Sequence, residues 1–211
     1  MLDKKPIICL DPGHPSEVGR GTKGRRITEI EAAWKVAIRA KKRLEDAGVE
    51  VVLTKSRPGE LVRNRSRAEI ANKSKADLMI RLHCDSQGGS GFAVYAPNKP
   101  GRNAGTRGPA PNVITASVSA AKIFHKRYAE GLVGLLADRG LKPDTETAVG
   151  AQQGALTGSI FSKVPVLLIE MGVLTNPKDD KILASDRGQA QVAEAVADAA
   201  LAVINASKRP L

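Results

Sequence analysis

Short apolar runs alternate along this chain with longer amphipathic stretches. The apolar runs predict β-strands at residues 6–10, 49–54, 78–83, 93–96 and 164–170. The amphipathic or alanine-rich stretches predict helices at residues 28–47, 60–75, 119–138 and 189–206. Residues 97–112 are rich in Pro, Gly and Arg and predict a surface loop. This alternation is typical of a three-layer α/β sandwich, with a twisted, mostly parallel sheet and helices on both faces.

The length of the chain indicates one domain, covering residues 1–211. No apolar run approaches the roughly 18 residues of a membrane span, so we expect no transmembrane segment. The first residues lack the apolar stretch of a secretory leader. We therefore expect either a cytoplasmic protein or one whose leader was removed.

The charge balance favours polyanionic partners, because 33 Lys and Arg face 22 acidic residues and the formal net charge is +11. Nucleic acid, an anionic membrane and an anionic cell wall all fit, and so does a merely soluble basic surface. Aromatic residues make up only 3% of the chain. Proteins that bind single-stranded nucleic acid need aromatic platforms among their basic residues. The cluster of Arg63, Arg65 and Arg67 has none, and we expect no nucleic-acid partner.

Candidate chemistry lies where predicted strands end, which is where open α/β sheets bind ligands. His14 follows the first strand, His83 ends the third, Glu170 ends the late apolar strand, and Glu29 opens the first helix. Two neutral imidazoles and a carboxylate form a common catalytic zinc set, and a second carboxylate can take a proton from water. The two histidines are 69 residues apart, so no local zinc motif joins them. From residue types alone, a structural role for these histidines stays open.

Other conspicuous residues have structural interpretations. Residues 19–24 read G-x-G-x-x-G, but they begin eight residues beyond Asp11 rather than directly after the strand, so we interpret them as a loop beside the cleft. His125 is expected on a solvated helix face. Cys9 and Cys84 are expected as buried thiols, and a bridge between them would require neighbouring strands.

Four segments, taken in order, carry a resemblance to a known family. They are residues 7–14 (an apolar strand followed by D-P-G-H), residues 44–54 (a helix end and second strand), residues 67–77 (R…AN…AD before the second histidine) and residues 164–176 (P-x-x-L-x-E-x-G-x-x-x-N). These segments resemble the zinc-dependent N-acetylmuramoyl-L-alanine amidases of the Amidase_3 type. Glu29, nineteen residues before Gly48, stands where that family places its glutamate ligand.

The resemblance implies that His14, Glu29 and His83 bind one Zn²⁺ per chain. It implies that Glu170 acts as general base toward the attacking water and then as acid toward the leaving amine. The bond cut would join N-acetylmuramic acid to L-Ala of the stem peptide, so peptidoglycan is the expected partner. The family's habit implies work outside the cytoplasm, in periplasm, wall or medium, if a leader was removed. A phage-lysin or cytoplasmic origin stays open.

Several residues compete for the ligand role. Thr28 to Glu31 reads as a capping box, which gives Glu31 a structural task and leaves Glu29 free. The turn after His14 departs from the family's pattern, so Glu17 is a lesser alternative. Cys84 is a further alternative, since zinc accepts thiolate. Asp85 stands where the family has Asn and would add a negative charge near the metal.

Two other functions stay in consideration. One is another zinc peptidase of the carboxypeptidase kind, in which Arg81 or an arginine of residues 97–112 would bind a terminal carboxylate. The other is a non-catalytic basic module for wall polymer or nucleic acid. Residues 97–112 are too broken by Pro and Gly to form a helix that blocks the cleft, so we expect no activator protein. We also expect the basic surface to bind anionic wall polymer, more weakly at high salt.

Overall fold

The computed structural model describes residues 5–87 and 89–207. Its strands are β1 (Ile7–Pro12), β2 (Glu50–Leu53), β3 (Leu78–Asp85), β4 (Phe92–Ala96), β5 (Gly101–Asn103), β6 (Thr106–Gly108), β7 (Asp138–Pro143) and β8 (Val166–Val173). Its α-helices are α1 (Glu29–Asp46), α2 (Asn64–Ser74), α3 (Pro111–Gly131), α4 (Ala148–Gln153), α5 (Thr157–Ile160), α6 (Pro177–Ala184) and α7 (Asp186–Ser207).

Six strands form one sheet in the order β2-β1-β3-β8-β4-β7, while β5 and β6 form a separate hairpin. Strands β2, β1, β3 and β8 are mutually parallel, β4 runs antiparallel to β8, and β7 runs parallel to β4. The carboxyl ends of β1, β3 and β8 therefore meet at one edge of the sheet. The register pairs His83 of β3 with Glu170 of β8.

Helices cover both faces of this sheet. The larger core packs α1, α3 and α7 against one face, and Phe124, Leu44 and Val196 are fully buried there. On the other face, α2 contributes Ala71 to a smaller cluster with β1, β3 and β8. The expected three-layer sandwich with a mostly parallel sheet is confirmed. None of the helices in residues 5–87 and 89–207 has both the length and the hydropathy that crossing a bilayer requires.

Helix α1 begins at a capping box, as the sequence predicts. The backbone N–H of Glu31 donates to the Thr28 hydroxyl at 3.3 Å, and the backbone N–H of Thr28 donates to the Glu31 carboxylate at 3.0 Å. Glu31 is thus occupied at the exposed start of the helix. Glu29, the first helical residue, is 2% exposed and lies under the sheet edge where β1 and β3 end.

The predicted helix at 119–138 has the wrong bounds. Pro111 opens α3 eight residues earlier, in a segment assigned to the loop, because proline fits the first turn of a helix, where its missing N–H costs nothing. The helix ends at Gly131, and Gly134 follows in the left-handed region (φ +77°). Strand β7 begins at Asp138, where the sequence predicts no strand.

The predicted loop at 97–112 also contains the β5–β6 hairpin. Its two-residue turn is Ala104-Gly105, with φ of +46° and +77°, as tight hairpin turns require. The helix predicted at 60–75 begins only at Asn64, so Leu61 precedes α2 and is 62% exposed. Cys9 and Cys84 lie on neighbouring strands but in cores on opposite faces of the sheet, and both thiols are free.

Candidate metal centre

The sheet edge brings together three of the predicted site residues. His14 follows β1, His83 lies near the end of β3, and Glu29 begins α1. Oε1 of Glu29 lies 2.9 Å from Nδ1 of His83 and 3.5 Å from Nε2 of His14. One ligand atom from each residue lies within 4.8 Å of the other two. This convergence of two imidazoles and a carboxylate is a donor set that suits a divalent transition metal.

The segment after β1 orients the side chains of His14 and Glu29. Nδ1 of His14 lies 3.1 Å from the carbonyl oxygen of Gly19, which leaves Nε2 directed at Glu29. The second oxygen of Glu29 accepts the backbone N–H of Thr22 at 2.7 Å. Oε1 also accepts the backbone N–H of Cys84 at 3.1 Å. The loop of residues 19–24 is therefore part of the cleft wall, as the sequence predicts.

Two glycines make this approach possible. A Cβ at Gly13 would lie 2.6 Å from Cε1 of His83. A Cβ at Gly21 would lie 2.6 Å from Cδ2 of His14 and would overlap a carboxylate oxygen of Glu29. Gly21 also has φ +75°, which side chains rarely adopt. Positions 13 and 21 must therefore be glycine if His14, Glu29 and His83 are to lie this close together.

The ionisation of the cluster suits metal binding. Burial alone would raise the pKa of Glu29, but the hydrogen bond and charge of His83, with the charge of His14, lower it. Burial lowers the pKa of His83 and outweighs the opposing effect of Glu29. The lowered pKa values favour the ionised carboxylate of Glu29 and the neutral imidazole of His83, which are the forms in which such groups bind metals.

A buried polar atom without a hydrogen-bond partner tests whether the site fits a metal. Nε2 of His83 is buried and has no hydrogen-bond partner among the described residues. Its Nδ1 faces only the shared Oε1 of Glu29, which also faces His14. A buried imidazole left half satisfied is costly in a purely structural cluster. His14, Glu29 and His83 therefore fit a divalent cation.

Glu170 lies beside this cluster, on β8 next to His83. It lines the same cleft of about 450 Å³ as the three ligand candidates. Its Oε2 is buried and accepts no hydrogen bond within the described ranges. Burial, with the charges of Glu29 and Asp85, raises the pKa of Glu170 well above its usual value. A carboxyl group whose pKa is raised in this way, in a cleft beside a cluster of possible metal ligands, is a candidate for proton transfer.

A buried ionic cluster lies directly beneath the ligands. The carboxylate of Asp11 contacts Arg67 at 2.6 Å and Arg81 at 2.9 Å, and it accepts the Thr54 hydroxyl at 2.6 Å. Arg67 also donates to the carbonyl oxygens of Pro12 and Pro15, on either side of His14. Burial would raise the pKa of Asp11, but the two arginines hold it well below its usual range.

A lysine adds to this support. The ammonium group of Lys55 donates to the carbonyl oxygens of Gly13, His14 and Pro58. Burial and the charge of Arg67 lower the pKa of Lys55 to about 8. Sequence analysis did not single out Lys55. Its only signal is a position at the end of the second strand, beside the loop that carries His14.

The competing residues lie elsewhere or have other tasks. Glu17 accepts two hydrogen bonds from Asn64, at 2.9 and 3.1 Å. The Cys84 side chain belongs to the core on one sheet face, and burial raises the pKa of its thiol well above the usual value. His125 is partly buried rather than fully solvated and lies 2.9 Å from Asp138.

Two basic residues near the site were missed. Arg139 lies on β7 and pairs with Asp85 at 2.7 Å, which balances the charge that the departure at position 85 adds. Lys142, on the same strand, lines a cleft of about 620 Å³ that also reaches Glu170. Both lie just after the predicted helix at 119–138, where the sequence predicts no strand. A correct prediction of β7 would have placed them at the sheet edge.

Comparisons with known proteins agree with this geometry. Residues 8–202 match the Amidase_3 family, described as N-acetylmuramoyl-L-alanine amidase. The amidase AmiC of Neisseria meningitidis is 24% identical over 97% of this chain, and an uncharacterized cell wall amidase of Bacillus anthracis is 28% identical over 93%. The chain spans about half (54%) of the first relative and 35% of the second.

A solved structure shows the same fold. The N-acetylmuramoyl-L-alanine amidase AmiC2 of Nostoc punctiforme superposes with a TM-score of 0.74 at 22% identity, covering 98% of this chain and 99% of that one. Since the family match extends over nearly the whole sequence and the fold agrees, this chain belongs to the Amidase_3 family of N-acetylmuramoyl-L-alanine amidases.

Proposed function

We propose that this chain is a zinc-dependent peptidoglycan amidase, a hydrolase that cuts the amide between the lactyl group of N-acetylmuramic acid and L-Ala of the stem peptide. The observation that carries the proposal is the convergence of His14, Glu29 and His83 beside Glu170 in one open cleft. Family membership supplies the substrate class. Residues 1–211 would act as one catalytic domain.

His14, Glu29 and His83 would hold one Zn²⁺, which supplies Lewis-acid chemistry: it lowers the pKa of water toward about 7 and polarises a carbonyl group. The chain's own contribution is to hold these donors rigidly. The carbonyl of Gly19 orients His14, and the N–H groups of Thr22 and Cys84 orient Glu29. Second partners of this kind fix ligand orientation.

Glu170 would move the proton. A water molecule attacks the carbonyl carbon, and its proton passes to the unpartnered Oε2 of Glu170. The C–N bond then breaks, and the same proton passes from Glu170 to the departing nitrogen of L-Ala. The products are a carboxylic acid on the lactyl group and an amine on the peptide; at neutral pH the acid gives up its proton and the amine takes one up. A pKa raised above the ordinary carboxyl value suits a group that must first accept and then donate.

The experiment compares the parent with Glu170→Gln and His83→Ala for zinc content and for cleavage of soluble muropeptides. We expect the parent to carry one zinc and to release peptides that begin with L-Ala. Glu170→Gln keeps the zinc but loses about 10²–10⁴-fold in rate, the usual contribution of a general base. His83→Ala loses both. Full cleavage by Glu170→Gln would contradict the role of Glu170.

The products also separate this function from a carboxypeptidase. A carboxypeptidase would shorten the peptide and leave it attached to the sugar, whereas an amidase separates intact peptide from glycan. The structure gives no support to Arg81 as a pocket for a terminal carboxylate, because its guanidinium is buried against Asp11 and Asn64. Trimmed muropeptides would overturn the amidase proposal.

Location and regulation complete the proposal. The bond to be cut lies in the cell wall, so we place the activity outside the cytoplasm. We also propose that no activator is needed, because none of the residues that line the clefts around Glu170 comes from residues 97–112. Zinc-loaded protein should cleave without additions. Cleavage that appears only after a second protein is added would contradict this.

A further inference from the structure

A second groove lies away from the metal centre, beside the amino end of β8. It has a volume of about 670 Å³ and runs between α2, β6, the start of α3 and the residues after α5. Lys163 lies before β8, whereas Glu170 is the fifth residue of β8. The part of the strand between Val166 and Glu170 is about 13 Å long, so the groove and Glu170 are at least that far apart along the chain. None of the residues that line this groove lines the clefts around Glu170.

The lining of this groove is strongly basic. Four cationic side chains, those of Arg65, Lys73, Arg107 and Lys163, accompany one carboxylate, that of Glu69. Glu69 is already paired with Nε of Arg65 at 2.8 Å. Among the described residues, the side chains of Lys73, Arg107 and Lys163 make no ion pair. An uncompensated cluster of this kind attracts anions, since like charges in a concave surface reinforce one another.

The start of α3 adds to the positive potential. Ala110, Asn112 and Val113 line the groove, and no side chain caps this end of the helix. The first turn of a 21-residue helix carries free N–H groups and the positive end of its dipole. Such ends favour phosphate in particular, and arginine forks match it as well.

We propose that this groove binds a phosphate-bearing polymer of the cell wall, as a holding site separate from catalysis. This inference rests on the proposed function, which brings the protein to the wall. Single-stranded nucleic acid fits less well, because Phe161 is the one aromatic ring among the described lining residues and the Arg65 guanidinium covers it at 5.0 Å from the ring centre. Grooves that bind single strands combine basic residues with exposed rings on which the bases stack.

The test uses the full zinc-loaded chain and a charge-reversal pair, Arg107→Glu with Lys163→Glu. The matched control is Lys122→Glu with Lys126→Glu, which makes the same change in net charge on exposed positions of α3 outside the groove. Binding is measured to polyphosphate of about 15 units, to purified walls before and after removal of their phosphate polymer, and to a single-stranded oligonucleotide of equal charge.

We expect the groove variant to bind polyphosphate and intact walls about tenfold more weakly or worse, and the control to change less than threefold. Removal of the phosphate polymer should abolish the difference between parent and groove variant. Equal losses in the two variants would overturn the proposal in favour of non-specific charge. Tighter binding of the oligonucleotide than of polyphosphate would overturn the assignment to wall polymer.

Hydrolysis of a soluble muropeptide separates this proposal from the proposed function. The groove variant should hydrolyse it at the parent's rate, because neither substituted residue lies in the clefts around Glu170. If the parent has no amidase activity but the groove binds polyphosphate, the proposed function fails and the anion site stands. If activity is present and polyphosphate does not bind, the reverse holds.

Discussion

Replacing Arg67 by Ala should be among the most damaging single changes in this protein. The guanidinium is 1% exposed and donates to four acceptors: the Asp11 carboxylate at 2.6 Å and the carbonyl oxygens of Pro12, Pro15 and Val62 at 2.7 to 2.9 Å. Removal of this side chain leaves a buried carboxylate short of one cation. It also leaves three carbonyl groups without their donor and opens a cavity beneath the loop that carries His14.

The expected cost follows from these contacts. Breaking a buried ion pair by removing one partner costs about 3–5 kcal/mol, and each buried carbonyl left unsatisfied adds about 1–3 kcal/mol where water cannot enter. Arg81 still contacts Asp11, so part of the charge stays compensated. We therefore expect a loss of at least about 3–5 kcal/mol, a large share of the 5–15 kcal/mol that stabilises a typical domain.

Urea unfolding of the metal-free protein measures this loss. With a slope of about 2–3 kcal/mol per M, the midpoint should fall by about 1–2 M. Arg65→Ala is the matched control on the same helix, because Arg65 is 60% exposed and its pair with Glu69 should contribute less than about 1 kcal/mol. Arg67→Lys should fall between the two, since one ammonium group replaces a fork of donors.

An Arg67→Ala variant whose free energy of unfolding lies within 1 kcal/mol of that of Arg65→Ala, with an unchanged slope, would refute this expectation. A changed slope would instead indicate a change in the unfolded state. Zinc affinity supplies a second readout, because Arg67 holds the backbone on both sides of His14. Arg67→Lys should weaken zinc binding even where the protein stays folded.

Two further predictions follow from the same region. The arginines hold the pKa of Asp11 below that of an unfolded aspartate (about 3.9), so its contribution to stability is fully present above about pH 4.5 and is lost as the pH falls through the acid range. The urea midpoint of Asp11→Asn should therefore start lower at pH 7 and drop less steeply toward pH 3 than that of the parent. Parallel curves for the two proteins would contradict this. Gly21→Ala should reduce zinc affinity, measured by equilibrium dialysis, by at least about tenfold, because the new Cβ would overlap Glu29. The control is Gly105→Ala, since Gly105 has a similar φ of +77° but open space around it. It should lose stability through backbone strain and keep the zinc affinity of the parent.

Much of the fold was predictable because the signals are local. Apolar runs marked the buried central strands, and the capping box at Thr28 to Glu31 marked the start of α1 to the residue. That same motif separates the two glutamates: Glu31 closes the cap, and Glu29 is left to face the sheet edge. The candidate ligands could be listed because each lies at or near one end of a predicted strand or helix.

The edge of the sheet was not predictable, and the reason is physical. Leu132 and Leu136 are buried and continue the helical spacing of α3, although the helix has already ended at Gly131. Hydrophobic spacing indicates which residues are buried, but it does not indicate whether a helix or a loop places them in the core. Without β7, sequence analysis had no means to bring Arg139 next to Asp85.

The ionic cluster of Asp11, Arg67 and Arg81 beneath the candidate ligands was not predictable from the sequence. Its position suggests what it does. A buried group of charges generally adds little stability compared with apolar residues of the same volume. Here the charged atoms are directed at backbone carbonyls around His14, which itself has a left-handed φ of +45°. An apolar core would fill this space, but it could not hold those carbonyls. We infer that Asp11 and Arg67 act through the geometry of the metal centre more than through net stability, which is why zinc affinity in Arg67→Lys is the more discriminating of its two measurements.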